Sequence, residues 1–163
     1  MPICLSDYPA GHYLDLDLMI MAAGSPPAYS FQLDPSDPAG APDLLNARGD
    51  LDFTRSTKAV GVTINLQNSS GVPLQFDNQK HVVFSFARNY GGTKYPIKSD
   101  HYQIRNVQVD PTGQIVTFCY RNTKHDDDNP SVQHVRSGYG IYLIDQNGVV
   151  GRIDPGVGNG ANK

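Results

Sequence analysis

The chain has 163 residues, of which 39% are hydrophobic and 18% charged, a composition typical of a globular domain and not of a disordered segment. Its formal net charge is −3 and its Lys and Arg residues are scattered, which argues against nucleic acid and against an anionic membrane as partners. The length predicts one domain over residues 1–163, large enough to bury a core of its own.

The first predicted element is a strand within the segment YLDLDLMIMAA. Aliphatic residues occupy every second position of Leu14–Ile20, and a period of two is typical of a half-buried strand. The strand carries no Lys or Arg to guard an exposed edge. We therefore predict that it is an edge strand at which two copies associate as a homodimer, burying Met19 and Met21 against their symmetry mates. The alternative is that the loop at residues 34–50 covers this strand.

Further strands are predicted along the chain, at residues 28–33 and 58–67. The run HVVFSFAR, residues 81–88, is dense in aromatic and β-branched residues and is predicted to be central in a sheet. Residues 34–50 are rich in Pro and Gly, and they predict a loop that contains one short helical turn.

Two hairpins are predicted in the second half of the chain. The first joins the segments HYQIRNVQV and QIVTFCYR through Asp110–Gly113, a tight turn with Pro in its favoured second position. The second joins GYGIYLID to VVGRID, because Asn147 and Gly148 between apolar runs are a strong hairpin signal.

Together these patterns predict about eight or nine short strands with turns between them, and no helical segment of ten residues. The fold class expected is all-β, in the form of an immunoglobulin-like two-sheet antiparallel β-sandwich. The last residues, 156–163, are expected to fray as a tail of this single domain.

Three segments carry a resemblance to a known family: FQLDPSDP, VQVDPTGQ and LIDQNGVVGRIDP. With them the chain resembles the DP-EP family of uncharacterised bacterial proteins, and its ending is similar to the inclusion-body proteins of insect-associated bacteria. Both groups are β-sandwiches without an established enzymatic role. The resemblance implies a bacterial β-sandwich, and it assigns no functional residue.

The two cysteines, Cys4 and Cys119, are far apart in the sequence. Cys119 lies in the apolar run QIVTFCY, where a free thiol acts as a small hydrophobic side chain. We expect reduced thiols, with a Cys4–Cys119 disulfide as the alternative. No pattern of a cleaved signal peptide or of a membrane span is present in the sequence, so the expected compartment is the cytoplasm.

A recognition surface is predicted in the segment from Arg88 to Tyr102, which links two strong strands. Tyr90 and Tyr95 lie there among Gly and Pro, and Tyr102 follows them. A tyrosine ring is large, rigid and amphipathic, so these side chains would suit a carbohydrate or a protein ligand. The alternative is that the rings cover an open end of the core.

The most polar segment is the loop at residues 124–134. Asp126, Asp127 and Asp128 supply hard oxygen ligands that suit Ca²⁺, and His125 adjoins them. The spacing differs from that of a calcium-binding helix-loop-helix, and a solvated loop tip is the interpretation that we favour over a metal site. No cofactor is therefore expected, and Ca²⁺ is the candidate ion if one binds.

No Gly-x-Ser-x-Gly elbow and no metal-binding Cys or His spacing occurs in the sequence. We therefore expect a non-catalytic binding or assembly domain whose ligand the sequence does not identify. The alternative is a small hydrolase or metal-dependent enzyme that uses the loop at residues 124–134 with His125 or His134.

Overall fold

A computed structural model describes residues 4, 13–26, 28–36, 51–52, 58–77, 82–86, 95–97, 104–122, 136–153 and 156–158. These residues form strands and turns, and none of them belongs to a helix long and apolar enough to cross a membrane. The predicted all-β class is confirmed. The strands in chain order are β1 (Tyr13–Ser25), β2 (Ala28–Pro35), β3 (Leu51–Asp52), β4 (Ala59–Asn68), β5 (Gln75–Phe76), β6 (Val82–Phe86), β7 (Tyr95–Ile97), β8 (Ile104–Val109), β9 (Ile115–Tyr120), β10 (Arg136–Asp145), β11 (Gly148–Ile153) and β12 (Gly156–Gly158).

Five strands form one sheet, sheet A, in the order β2-β1-β4-β9-β8. β1 and β2 are joined as a hairpin, with Ser25 opposite Ala28 at its closed end. β8 and β9 form the hairpin that the sequence predicts. In its turn the N–H of Gly113 donates to the carbonyl of Asp110 across 3.0 Å, and the φ of Gly113 is 71°, which favours a residue without Cβ.

The second sheet, sheet B, has the order β3-β12-β10-β6-β7, with β11 and β5 also paired to β10. β6 lies between β10 and β7, so its predicted central position is confirmed. The predicted hairpin of β10 and β11 is also confirmed, with Asp145 opposite Gly148. Residues 156–158 pair with β10 and β3, so the prediction that the chain frays from residue 156 was wrong for these residues.

The hydrophobic core contains side chains from both sheets. In sheet A the period of two places alternate residues of each strand in the same apolar cluster. In sheet B the cluster includes Phe76, Ile141 and Leu143, each fully buried. The sheet A members of the cluster are Leu16, Leu18, Ile20, Ala22, Leu33, Val60, Val62, Ile64, Leu66, Val116, Phe118 and Tyr120.

Two strand pairs contradict the prediction that every pairing is antiparallel. β1 runs parallel to β4 from Tyr13 opposite Ala59 to Ala22 opposite Asn68, and β3 runs parallel to β12. Parallel neighbours require a long crossover connection, which the chain between β1 and β4 provides. The hydrophobic period is the same for parallel and antiparallel strands, so it could not distinguish them.

The prediction that β1 is an edge strand was wrong. β1 is paired with β2 on one side and with β4 on the other. Its backbone is therefore not open for pairing, and Met19 and Met21 lie on a face of the sheet and not at its edge. Among the described strands of sheet A, the edges are β2 and β8.

Candidate functional site

Most of the residues predicted to bind a ligand or a metal lie outside the described residues: Tyr90, Tyr102, His125, Asp126, Asp127, Asp128 and His134. Tyr95 is described, and it begins β7 opposite Phe86. The prediction that Tyr95 belongs to a loop was therefore wrong, because the ladder of sheet B extends to it. The segment at residues 34–50 is described only as far as Ser36, so its predicted helical turn also lies outside these residues.

The outer face of sheet A, opposite the core, is polar with a few apolar side chains. The register places Met19 beside Asp34 on β2 and beside Asn65 on β4. Met21 lies one row further along the strand and is 48% exposed, the most exposed large hydrophobic side chain among the described residues. Asp15 and Asp17 occupy the same face at the beginning of β1, where both are exposed.

One end of this face, the disulfide end, lies where β1 and β4 begin and β9 ends. Cys119 forms a disulfide there with Cys4, so the prediction of free thiols was wrong. Both cysteines are fully buried with Ala59, and Tyr13 packs against them. The sequence left this pairing open because two cysteines separated by 115 residues give no local signal of their distance in space.

The opposite end of sheet A, the turn end, is organised by hydrogen bonds. After β4, the Asn68 side-chain oxygen accepts from the backbone N–H of Ser70 at 3.0 Å, and its amide donates to the Val72 carbonyl at 2.7 Å. The N–H of Ser69 donates to the carbonyl of Ala22 at the end of β1. These bonds hold the chain reversal against the neighbouring strand.

Asp110 organises the β8–β9 turn at the same end. One of its carboxylate oxygens accepts from the backbone N–H groups of Gln114 and Ile115, at 2.8 and 2.9 Å. The other accepts from the hydroxyl of Thr112. The hydrogen bond from Thr112, and after it the bonds from the backbone, hold the pKa of Asp110 below its usual range.

The edge strand β2 exposes backbone groups that the rest of sheet A does not use. The N–H of Ser36 donates to the carbonyl of Asp17, which identifies residues 17 and 36 as a hydrogen-bonded pair. Pairing alternates along an antiparallel ladder, so Ala28, Ser30, Gln32 and Asp34 also bond to β1. The residues between them, 29, 31 and 33, must direct both N–H and C=O away from β1.

A second bond supports this assignment. Ala22 lies opposite Phe31 in the register, and its carbonyl accepts from Ser69 on the β4 side and not from β2. The pair of residues 22 and 31 is therefore of the type without hydrogen bonds between its members. Among the described strands, β2 has no hydrogen-bonded neighbour other than β1.

The side chains of β2 divide between the two faces. Tyr29, Phe31 and Leu33 point to the core, where the rings of Tyr29 and Phe31 stack with centroids 6.0 Å apart. Ser30 and Gln32 are exposed on the outer face, and no residue of Ala28–Leu33 is charged. The edge is thus regular, uncharged and eight residues long.

The hydroxyl of Tyr29 is buried and has no hydrogen-bond partner among the described residues. The loss of water around it, and then the charge of Asp145 nearby, raise the pKa of Tyr29 above its usual range. The ring therefore lies at the boundary between the β2 edge and the end of β10.

The other described edges carry features that discourage pairing. In β8 the register shifts between Arg105 and Gln108, and Asn106 has a positive φ of 57°, which marks a bulge. β7 is three residues long and contains Pro96, which has no N–H to donate. β3 has only two residues. By comparison β2 is the least protected of these edges.

Within the described ranges no three His, Cys, Asp or Glu side chains are grouped closely enough to hold a metal ion. No family model matches the sequence, and the comparison with curated proteins gives no match. The sequence pattern had pointed to β1 as the surface for assembly, and the signal for β2 was weaker: AYSFQL is short and uncharged, and Pro35 ends it.

Proposed function

We propose that the protein is a non-catalytic binding or assembly domain that binds its partner by strand addition at the edge strand β2. In strand addition, an extended segment of a partner pairs with an exposed sheet edge, and backbone hydrogen bonds supply the affinity. The observation that carries this proposal is the edge itself. Tyr29, Phe31 and Leu33 direct backbone donors and acceptors away from β1, on a strand without charge, bulge or internal Pro.

The immunoglobulin-like sandwich remains part of this proposal. An apolar cluster shared by sheets A and B supports face-to-face packing of two sheets. The parallel β1–β4 pair departs from a fully antiparallel sandwich. The resemblance to the DP-EP family, whose members are β-sandwiches without an established enzymatic role, agrees with a non-catalytic domain. Ligand binding at Tyr90, Tyr95 and Tyr102 stays a prediction.

The compartment also stays a prediction, and the disulfide changes its balance. Buried disulfides persist in oxidising compartments and are rare in the reducing cytosol. Cys4 and Cys119 are both fully buried, which protects the bond from thiols in solution. We therefore favour an oxidising compartment over the cytoplasm that the sequence predicted.

Amide hydrogen exchange resolved to single residues tests the open edge. In protein diluted to submicromolar concentration, the amides of Ser30 and Gln32 should be protected by β1, while those of Tyr29, Phe31 and Leu33 exchange rapidly. The alternation within one strand is its own control, since all five residues share the same stability. Equal protection of all five amides in a monomer would mean that the chain covers its own edge, and would overturn the proposal.

A further inference from the structure

We infer that the partner of the β2 edge is the β2 edge of a second copy, in an antiparallel pair whose two-fold axis passes beside Phe31. This inference rests on the proposed function, because it requires the open edge, and it adds the occupant and the register. A two-fold pair presents the same surface on both sides, so the strand must be complementary to itself when reversed.

The backbone of β2 meets this requirement. The outward groups belong to residues 29, 31 and 33, which are symmetric about Phe31. In the reversed copy Phe31 lies opposite Phe31, and Tyr29 lies opposite Leu33. Each of these residues has both an N–H and a C=O, so every outward group of the three finds a partner. Moving the axis by one residue toward Asp34 would place Tyr29 opposite Pro35, which has no N–H.

The side chains are compatible with the same register. On the outer face, the exposed polar side chain of Ser30 lies opposite that of Gln32 in the second copy. Asp34, the one charged residue of the strand, lies opposite Ala28 and not opposite itself. No like charges face each other directly, which is the arrangement that destabilises a cross-strand pair. Two copies of sheet A would thus join as one continuous sheet.

Cysteine cross-linking tests the register. Residues 30 and 32 of the two copies form a pair without mutual hydrogen bonds, in which Cα atoms lie about 4.5 Å apart and a disulfide can form. A mixture of the Ser30→Cys and Gln32→Cys variants should cross-link under mild oxidation, whereas either variant alone should not. Peptide mapping should locate the new bond and show that the buried Cys4–Cys119 bond is unchanged.

Light scattering at micromolar to millimolar concentration supplies the second readout. The native protein should reach twice the mass of 17.8 kDa. The double variant Ser30→Lys, Gln32→Lys places like charges opposite each other across the pair and should raise the dissociation constant at least about tenfold. The matched control Met21→Lys, Gln67→Lys adds the same charge to exposed positions of the outer face on the inner strands and should leave the mass unchanged.

Each outcome separates the inference from the proposed function. Rapid exchange at Tyr29, Phe31 and Leu33 together with a monomer at every concentration would overturn the inference and leave the open edge for another partner. A dimer that responds to the Met21 and Gln67 variant but not to the Ser30 and Gln32 variant would assign the interface to the outer face and overturn the inference. Cross-linking of either cysteine variant alone, as strongly as of the mixture, would overturn the register.

Discussion

The two ends of sheet A are held in different ways. At the disulfide end the Cys4–Cys119 bond and the buried Ala59 close the outer face covalently. At the turn end the described residues are held by hydrogen bonds, chiefly those of Asn68 and Asp110. The comparison teaches that one sheet can depend on two solution conditions. Reductant should weaken the disulfide end, and acid should weaken the turn end.

The largest expected effect breaks the disulfide end. The Cys119→Ser variant should lose about 5 kcal/mol of unfolding free energy, because the bond closes a loop of about 115 residues and constrains the unfolded chain. Denaturant unfolding of the oxidised protein and of the variant measures the difference.

The matched controls are Cys4→Ser and the double variant. Because the bond is lost once, the double variant should cost little more than either single variant. If the two single losses simply add, the cysteines stabilise the protein through packing, and the covalent explanation of this end is wrong.

A smaller effect is expected at the turn end from Asp110→Ala. The variant loses the hydrogen bonds to Gln114, Ile115 and Thr112, which should cost about 2 kcal/mol at neutral pH because the carboxylate is largely solvated. Chemical unfolding at neutral pH gives this value.

The pH dependence of the same variant sharpens the comparison. The pKa of Asp110 is lower in the folded protein than in the unfolded chain, so its contribution is complete above the unfolded pKa and is lost as the pH falls through the folded pKa. The difference between the native protein and Asp110→Asn should therefore shrink on acidification below the usual carboxyl range. A difference that stays constant with pH would show that the charge of Asp110 does not contribute.

The smallest effect is expected for Met21→Lys on the outer face near the turn end. Met21 is 48% exposed, so the substitution should change the unfolding free energy by less than about 0.5 kcal/mol. The control is Ala59→Lys at the disulfide end, where the fully buried position should tolerate no charge. Similar melting temperatures for both variants would contradict the difference in coverage between the two ends.

Local features of the fold could be predicted from the sequence, and long-range ones could not. The alternation in Leu14–Ile20 and the two hairpin turns depend on residues close together in the chain, and all three are confirmed. The parallel partner of β1 and the disulfide of Cys119 depend on segments that meet only after folding.

The candidate site was missed for the same reason. An edge strand is defined by the absence of a neighbour, and the hydrophobic pattern of β2 does not reveal which strands lie beside it. The unguarded composition of β1 was read correctly, but β2 and β4 cover this strand on both sides. The ligand and metal predictions at Tyr90, Tyr102 and Asp126–Asp128 stay predictions.

The disulfide also has a consequence for biosynthesis. Ribosomes add roughly 5–20 residues per second, so the thiol of Cys4 waits on the order of ten seconds before Cys119 is made. Within these 163 residues there are two cysteines, so a single chain has no incorrect pairing available to it. Oxidative maturation therefore needs an oxidant but no isomerase, and its one competing product is a bond between two unfinished chains.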